Sequence, residues 1–273
     1  MSQNLLPHLA CDCHVHVYED RFQLAASATF TPPKGALSDY RSVQTQLGLE
    51  RVVLVQATAY GFDNGCMLEA LGKLADSARG VAIVSPDISD AQLEHLHAAG
   101  VRGVRYMTIP NSGGLVSWDS IEAMSARIAP LGWIINLQLD GRDFPQRLEM
   151  IERLPSKVVI DHNGKFLEPV TPDDPAFLAL LRVLEREGRW IKLSAPYETS
   201  KRGPPAYDDV SALSRALVRA HPDRCLWASN WPHPNRVPPP SNSALLELLS
   251  DWAPEAAIRK AILVDNPAQA FGF

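Results

Sequence analysis

Eight short apolar runs alternate with amphipathic stretches of helical length along this 273-residue chain, and that alternation limits the possible folds more than any other feature. The runs are Leu9 to His16, Arg51 to Ala57, Gly80 to Ser85, Gly103 to Met107, Trp133 to Leu139, Val158 to His162, Trp190 to Ala195 and Cys225 to Ser229. Helical patterns fill the intervals: Ser38 to Leu47, Asn64 to Ala78, Asp90 to Ala99, Trp118 to Leu131, Asp143 to Leu154, Pro175 to Glu187 and Asp208 to Ala220. Two more, Asn242 to Trp252 and Glu255 to Phe271, follow the last strand. Parallel neighbours need crossovers of helical length, so strand–helix alternation predicts a parallel sheet. Eight units at this chain length predict a closed α/β fold, the (β/α)8 or TIM barrel. An open doubly wound sheet is disfavoured, because no Gly-x-Gly-x-x-Gly follows an early strand. The proline-rich pieces Thr31-Pro32-Pro33, Arg202-Gly203-Pro204-Pro205 and Val237-Pro238-Pro239-Pro240 follow strands 1, 7 and 8. They read as stiff loops at one barrel end, so residues 1–273 form one domain.

Composition narrows the function classes. A net charge of −5 supplies neither a basic footprint for nucleic acid nor a polybasic membrane patch. Met1 to His8 lacks a cationic region before an apolar stretch, and no run reaches the roughly 20 apolar residues that span a bilayer. A cytoplasmic enzyme acting on a small molecule is expected. The four cysteines (Cys11, Cys13, Cys66 and Cys225) match no zinc-finger spacing and read as structural thiols. Strict alternation puts Cys11 and Cys13 on one strand face, and Asp12 and His14 on the other.

Chemistry concentrates where the strands end, which is where barrels of this type carry reactive groups. His14 and His16 are two apart on a strand and point the same way. They suit two ligands of one metal ion or two donors to one oxyanion. His162 closes the apolar run of strand 6, whereas His95, His97 and His221 belong to helices. Arg105 ends strand 4 and has no place in a core unless its guanidinium meets an anion. Lys165 follows His162, and Lys192 lies within strand 7. A cationic mouth on an acidic protein points to an anionic, carboxylate-bearing substrate. Gln56 and Gln138 add neutral polar groups to the rim, and Tyr197 is a candidate hydroxyl donor. At the end of strand 8, within Ser229-Asn230-Trp231-Pro232-His233, an asparagine stands where a base would be expected. Its amide can orient groups by hydrogen bonds but cannot take a proton from water.

Taken together, Cys13-His14-Val15-His16, Val53 to Ala57 with Asp63-Asn64, Arg102-Gly103-Val104-Arg105, Ile160-Asp161-His162-Asn163-Gly164 and Asn230 to Asn235 resemble the amidohydrolase superfamily. The likeness is to its amidohydrolase 2 group, near the 2-pyrone-4,6-dicarboxylate lactonases. That resemblance implies that the strand-1 and strand-6 histidines polarise a lactone carbonyl and that arginines hold carboxylates. It also implies that an aspartate at position 230 would activate water, and that no metal cofactor is needed. A single divalent metal at His14 and His16 is the alternative. Asn230, with Lys192-Leu193-Ser194-Ala195-Pro196-Tyr197-Glu198, is similar to the galactarolactone isomerase branch, which moves a lactone from a six- to a five-membered ring. The expected partner is a small anionic lactone or sugar acid; oligomeric state is not legible.

Losing a general base should cost a hydrolase about 10²–10⁴-fold. Isomerisation uses a hydroxyl already on the substrate, whose effective molarity can reach the order of 10⁵–10⁸ M. His14, His16 and His162 are then candidates to stabilise the oxyanion, and Asn230 to orient the hydroxyl. Competing expectations are a lactone hydrolase using another base such as His233, a metal-dependent hydrolase or decarboxylase, and a sugar-acid binding barrel.

Overall fold

The computed structural model describes residues 6–110 and 113–273, so the first five residues of the segment read above for a leader lie outside it. Eight strands form one sheet in sequence order, each parallel to the next: β1 Cys11–Val15, β2 Arg51–Val55, β3 Ala78–Ala82, β4 Val101–Met107, β5 Ile134–Gln138, β6 Lys157–Ile160, β7 Arg189–Ser194 and β8 Cys225–Ala228. Helices α1 Leu37–Leu47, α2 Gly65–Leu74, α3 Asp90–Ala98, α4 Ile121–Ile128, α5 Phe144–Arg153, α6 Pro175–Glu185, α7 Asp208–Ala220 and α8 Asn242–Trp252 form the outer layer. The expected last helix is present as α9 Ala256–Lys260 and α10 Asn266–Phe271, joined through a π-helical turn at Ala261–Asp265. Strand 3 starts two residues before its expected position. Ala75 takes a left-handed φ of 49° that ends α2 at Leu74, and the freed chain pairs with β2 from Ala78.

Strand residues divide by parity into two apolar clusters. Val53, Val55, Val81, Ile134, Val159, Trp190, Leu226 and Ala228 fill the barrel interior with Phe271 of α10. Their neighbours Val52, Leu54, Ile135, Leu137, Val158, Ile160, Ile191 and Leu193 pack outward among helix side chains. Phe273 lies under the guanidinium groups of Arg51 and Arg79, so the carboxy-terminal residues stopper the lower end. Gly103 is on the inner parity of β4. A Cβ there would come within 2.4 Å of Ile134 Cγ1 and 2.9 Å of its carbonyl oxygen, so nothing larger fits.

The seam between β1 and β8 closes differently from the other seven junctions. Only Val15 and Trp231 form a β-bridge, with His16 N–H donating to the Trp231 carbonyl at 2.8 Å. Below that bridge a side chain takes over: Asp12 accepts from Ser229 N–H at 2.9 Å, Ser229 Oγ at 2.5 Å and Tyr40 Oη of α1 at 3.3 Å. The carboxylate therefore points outward. A β-bulge accounts for this, because three steps on β1 (Asp12 to Val15) oppose two on β2 (Val52 to Leu54). The extra residue re-aims His14 into the barrel. Strict alternation is broken there, so His14 shares the interior with Cys13 and not the face of Asp12. All four cysteines are buried and unbridged.

Candidate active site

Polar groups replace apolar ones one layer above Ile134, Val159 and Trp190. Asn136, Asp161 and Lys192 occupy the next inward positions of β5, β6 and β7, and all three are fully buried. Lys192 Nζ lies 2.5 Å from Asn136 Oδ1, 3.0 Å from Asp161 Oδ1 and 3.0 Å from His14 Nδ1. Three acceptors match the three N–H bonds of an ammonium. Asn136 Nδ2 also donates to Asp161 Oδ2 at 2.9 Å. Burial alone would raise the Asp161 carboxyl, but Lys192 and then His14 hold it well below its usual value. The ion pair is tight because a lone buried charge would be far costlier.

That ammonium sets the protons above it. His14 Nδ1 accepts from Lys192, so the neutral ring carries its proton on Nε2, which faces His16 Nε2 at 3.2 Å. His16 Nδ1 donates to the Val55 carbonyl at 2.8 Å, leaving its Nε2 to accept. Hydrogen bonds therefore run Lys192 to His14 to His16 to Val55. Burial, aided by Lys192, lowers the His14 pKa well below normal; burial and Arg105 lower that of His16 to about 3. Both rings are neutral at physiological pH. His162 is also lowered well below normal by burial, and its Nδ1 meets Ser194 Oγ at 2.8 Å.

Among the described residues His14, Asp161 and His162 form a group with metal-ligand spacing, and the facing nitrogens of His14 and His16 are close enough to share an ion. The protons argue against such an ion. Lys192 already satisfies Asp161, and the tautomer it imposes on His14 protonates the nitrogen that faces His16. A divalent cation would also sit beside the Lys192 ammonium in a dry interior.

Above this layer a cavity of about 700 Å³ opens at the carboxy-terminal ends of the strands. His16, Arg105, Gln138, His162, Lys165 and Asn230 line it, so six of the sequence-derived candidates meet there. Arg105 donates to the Gln56 carbonyl at 3.0 Å and reaches Gln138 Oε1 at 3.4 Å. Its Nε has no partner, and among the described residues no carboxylate pairs with it. A buried guanidinium in that condition still has a donor to offer an anion. The Gln56 amide turns away to the Asp63 carbonyl (2.7 Å), so only its backbone serves the site. His14 and Lys192 support the floor from below. Tyr197 and His233 stand behind Asn230: His233 Nε2 meets Asn242 Oδ1 at 2.9 Å, and Tyr197 Oη meets His233 Nδ1 at 2.9 Å.

Asn230 has a left-handed φ of 60°, which asparagine tolerates well. Its Nδ2 donates to Tyr197 Oη and to Glu198 Oε1, each at 3.0 Å. Only a nitrogen can face that carboxylate, so the amide orientation is fixed and Oδ1 is left to accept. Glu198 also pairs with Lys165, whose pKa burial lowers to about 8. Left-handed backbone gathers at this rim, at His162, Asn163, Lys165, Ala195, Asn230, His233 and Asn235. Strain of this kind is concentrated where geometry serves chemistry. Sequence reading missed Asp161, Asn136 and Glu198, along with the cavity residues Tyr18 and Arg236. For Asp161 a signal existed: it shares the inward parity of Val159.

A parallel eight-stranded barrel whose histidines at β1 and just after β6 meet a buried acid beneath a polar mouth has the layout of a TIM-barrel enzyme. The chain belongs to the amidohydrolase family, whose model matches residues 11–273. It is 34% identical to D-galactarolactone isomerase of Agrobacterium fabrum over 97% of this chain and 91% of that one. With the 2-pyrone-4,6-dicarboxylate hydrolase of Comamonas testosteroni it shares 35% identity, again over 97% and 91%. A crystal structure of an Agrobacterium tumefaciens protein superposes with a TM-score of 0.93 at 32% identity, covering 99% of this chain and 98% of that one.

Proposed function

We propose that this protein is a sugar-acid lactone isomerase, converting a D-galactaro-1,5-lactone-type ring to the 1,4-lactone by intramolecular acyl transfer. The relatives named for isomerisation and for hydrolysis are equally similar, at 34% and 35% identity, so overall likeness does not choose between them. The observation that carries the reading is Asn230. Both its amide hydrogens are held by Tyr197 and Glu198, its oxygen can only accept, and it lines the cavity beside His162 and Arg105. It can orient a substrate hydroxyl without drawing a proton from water. Arg105 would hold the substrate carboxylate. His162 and Lys165 are positioned to polarise the lactone carbonyl, while His14 and His16 hold the floor through the bonds set by Lys192. No metal is required in this reading, because Lys192 supplies the positive charge beneath the site.

A second reading, ring opening by water, is favoured by one feature: the Glu198 carboxylate beside Asn230. Carbon NMR of the protein with galactaro-1,5-lactone and with 2-pyrone-4,6-dicarboxylate separates the two. A new five-membered lactone is expected, with EDTA-treated and untreated protein equally active and metal content substoichiometric. Open-chain acid as the main product would establish the second reading instead. No turnover of either compound sinks both.

A further inference from the structure

Acyl transfer between two oxygens of one substrate still moves a proton. The attacking hydroxyl must lose one, and the departing ring oxygen must gain one. Asn230 cannot carry it, and Asp161 is locked by Lys192 and Asn136 beneath the floor. His14 and His16 spend their nitrogens on each other, on Lys192 and on Val55. His162, with Nδ1 on Ser194, polarises the carbonyl in the isomerase reading as an Nε2–H donor and so cannot accept a proton there. His233 lies behind Tyr197 with both nitrogens engaged. Among the described residues one carboxylate remains on the cavity wall. Glu198 is carried on the short 3-10 turn Pro196–Glu198 that follows β7, and its side chain is 16% exposed. One oxygen accepts from Asn230 Nδ2 and the other pairs with Lys165.

We propose that Glu198 is the group that takes the proton from the attacking hydroxyl and returns it to the departing ring oxygen. This rests on the isomerase reading. As the hydroxyl O–H bond breaks, its proton passes to Glu198 and the oxygen bonds to the lactone carbonyl carbon. The carbonyl electron pair moves onto the oxyanion. On collapse that pair re-forms the carbonyl, the bond from carbon to ring oxygen breaks, and the leaving oxygen takes the proton back from Glu198. No proton is gained or lost overall. Asn230, bonded to the same carboxylate, holds the hydroxyl within its reach. Water held at Asn230 meets an amide that takes no proton, whereas the tethered hydroxyl that Asn230 orients lies within reach of Glu198, so isomerisation prevails with this carboxylate present.

Glu198→Gln separates proton transfer from mere positioning. Glutamine keeps an oxygen that can accept from Asn230 Nδ2; it lacks basicity and, with it, the ion pair to Lys165. With whichever lactone the wild type turns over, kcat should fall by about 10²–10⁴-fold while KM changes little, and the acidic limb of the kcat profile should vanish. Glu198→Asp, a second variant should the glutamine protein fail to fold, should retain the limb with reduced kcat. A Glu198→Gln protein with near-wild-type kcat and an intact acidic limb overturns the proposal and leaves the isomerase reading standing. A wild type that turns over neither lactone overturns the reading itself, and this role with it.

Discussion

Asn230 spends one amide hydrogen on Tyr197 and the other on Glu198, and an aspartate in its place would have neither to give. Its carboxylate would stand 3.0 Å from that of Glu198. Like charges so close do not both ionise, so the pair would share a proton and titrate with two separated apparent pKa values. Asn230→Asp should therefore gain hydrolysis, but only as pH rises through the upper of those values. Adding Glu198→Gln should let hydrolysis begin at lower pH, because glutamine can donate an amide hydrogen to the new aspartate. Product ratios by carbon NMR from about pH 5 to 9 check this, and a pH-independent yield of open acid would count against the shared proton. The residues behind this prediction differ in how readable they were. His14, His16, His162 and Asn230 end apolar strands, where a polar residue is conspicuous. Glu198 lies on a 3-10 turn with no periodicity, and only the folded chain brings it to Asn230.

Strand β1 shows how far an element can be read from its pattern. Its existence and the shared direction of His14 and His16 followed from spacing alone, as did seven further strands. The bulge between Asp12 and Val15 did not, because one extra residue leaves no mark in an already apolar run. Yet that bulge sends His14 in and Asp12 out, and Asp12 then staples a seam that has a single β-bridge. Asp12→Ala would strand the Ser229 N–H, Ser229 hydroxyl and Tyr40 hydroxyl in a buried junction, at about 1–3 kcal/mol for each group left unpaired. A loss on the order of 3–5 kcal/mol is expected by urea unfolding at pH 7. Asp12→Asn can still accept from Ser229 N–H and can donate to either hydroxyl. It also removes a charge that burial disfavours, since the Asp12 pKa is raised to about 6. Its stability should stay within about 1 kcal/mol of wild type. Equal losses for the two variants would refute the staple.

On the scale of the whole molecule, burial has made histidine the acid-sensitive part of the protein. His14 and His162 are lowered well below 6.5, His16 to about 3 and His233 to about 4, each mainly by loss of water around the ring. Below pH 6.5 the unfolded chain binds protons at these four positions that the folded chain does not, so folding stability must fall as pH falls. Asp12 works the other way: from about pH 6 down to 3.8 the folded chain binds a proton there that the unfolded chain lacks. Four groups against one leave about three protons of difference near pH 5. At about 1.4 kcal/mol per proton per pH unit, that is a slope of about 4 kcal/mol per unit. Domains hold only about 5–15 kcal/mol in all, so mild acid should take away a large share of this barrel's stability. None of this was readable from composition, which counts eight histidines without saying which lose their water. Urea unfolding between pH 7 and 5 measures the slope directly, and His233→Gln should reduce it by about one proton's worth. Stability that stays flat or rises as pH drops to 5 would mean that these rings accept protons in the folded state, and the neutral His14 and His16 above the Lys192 ammonium would fail with it.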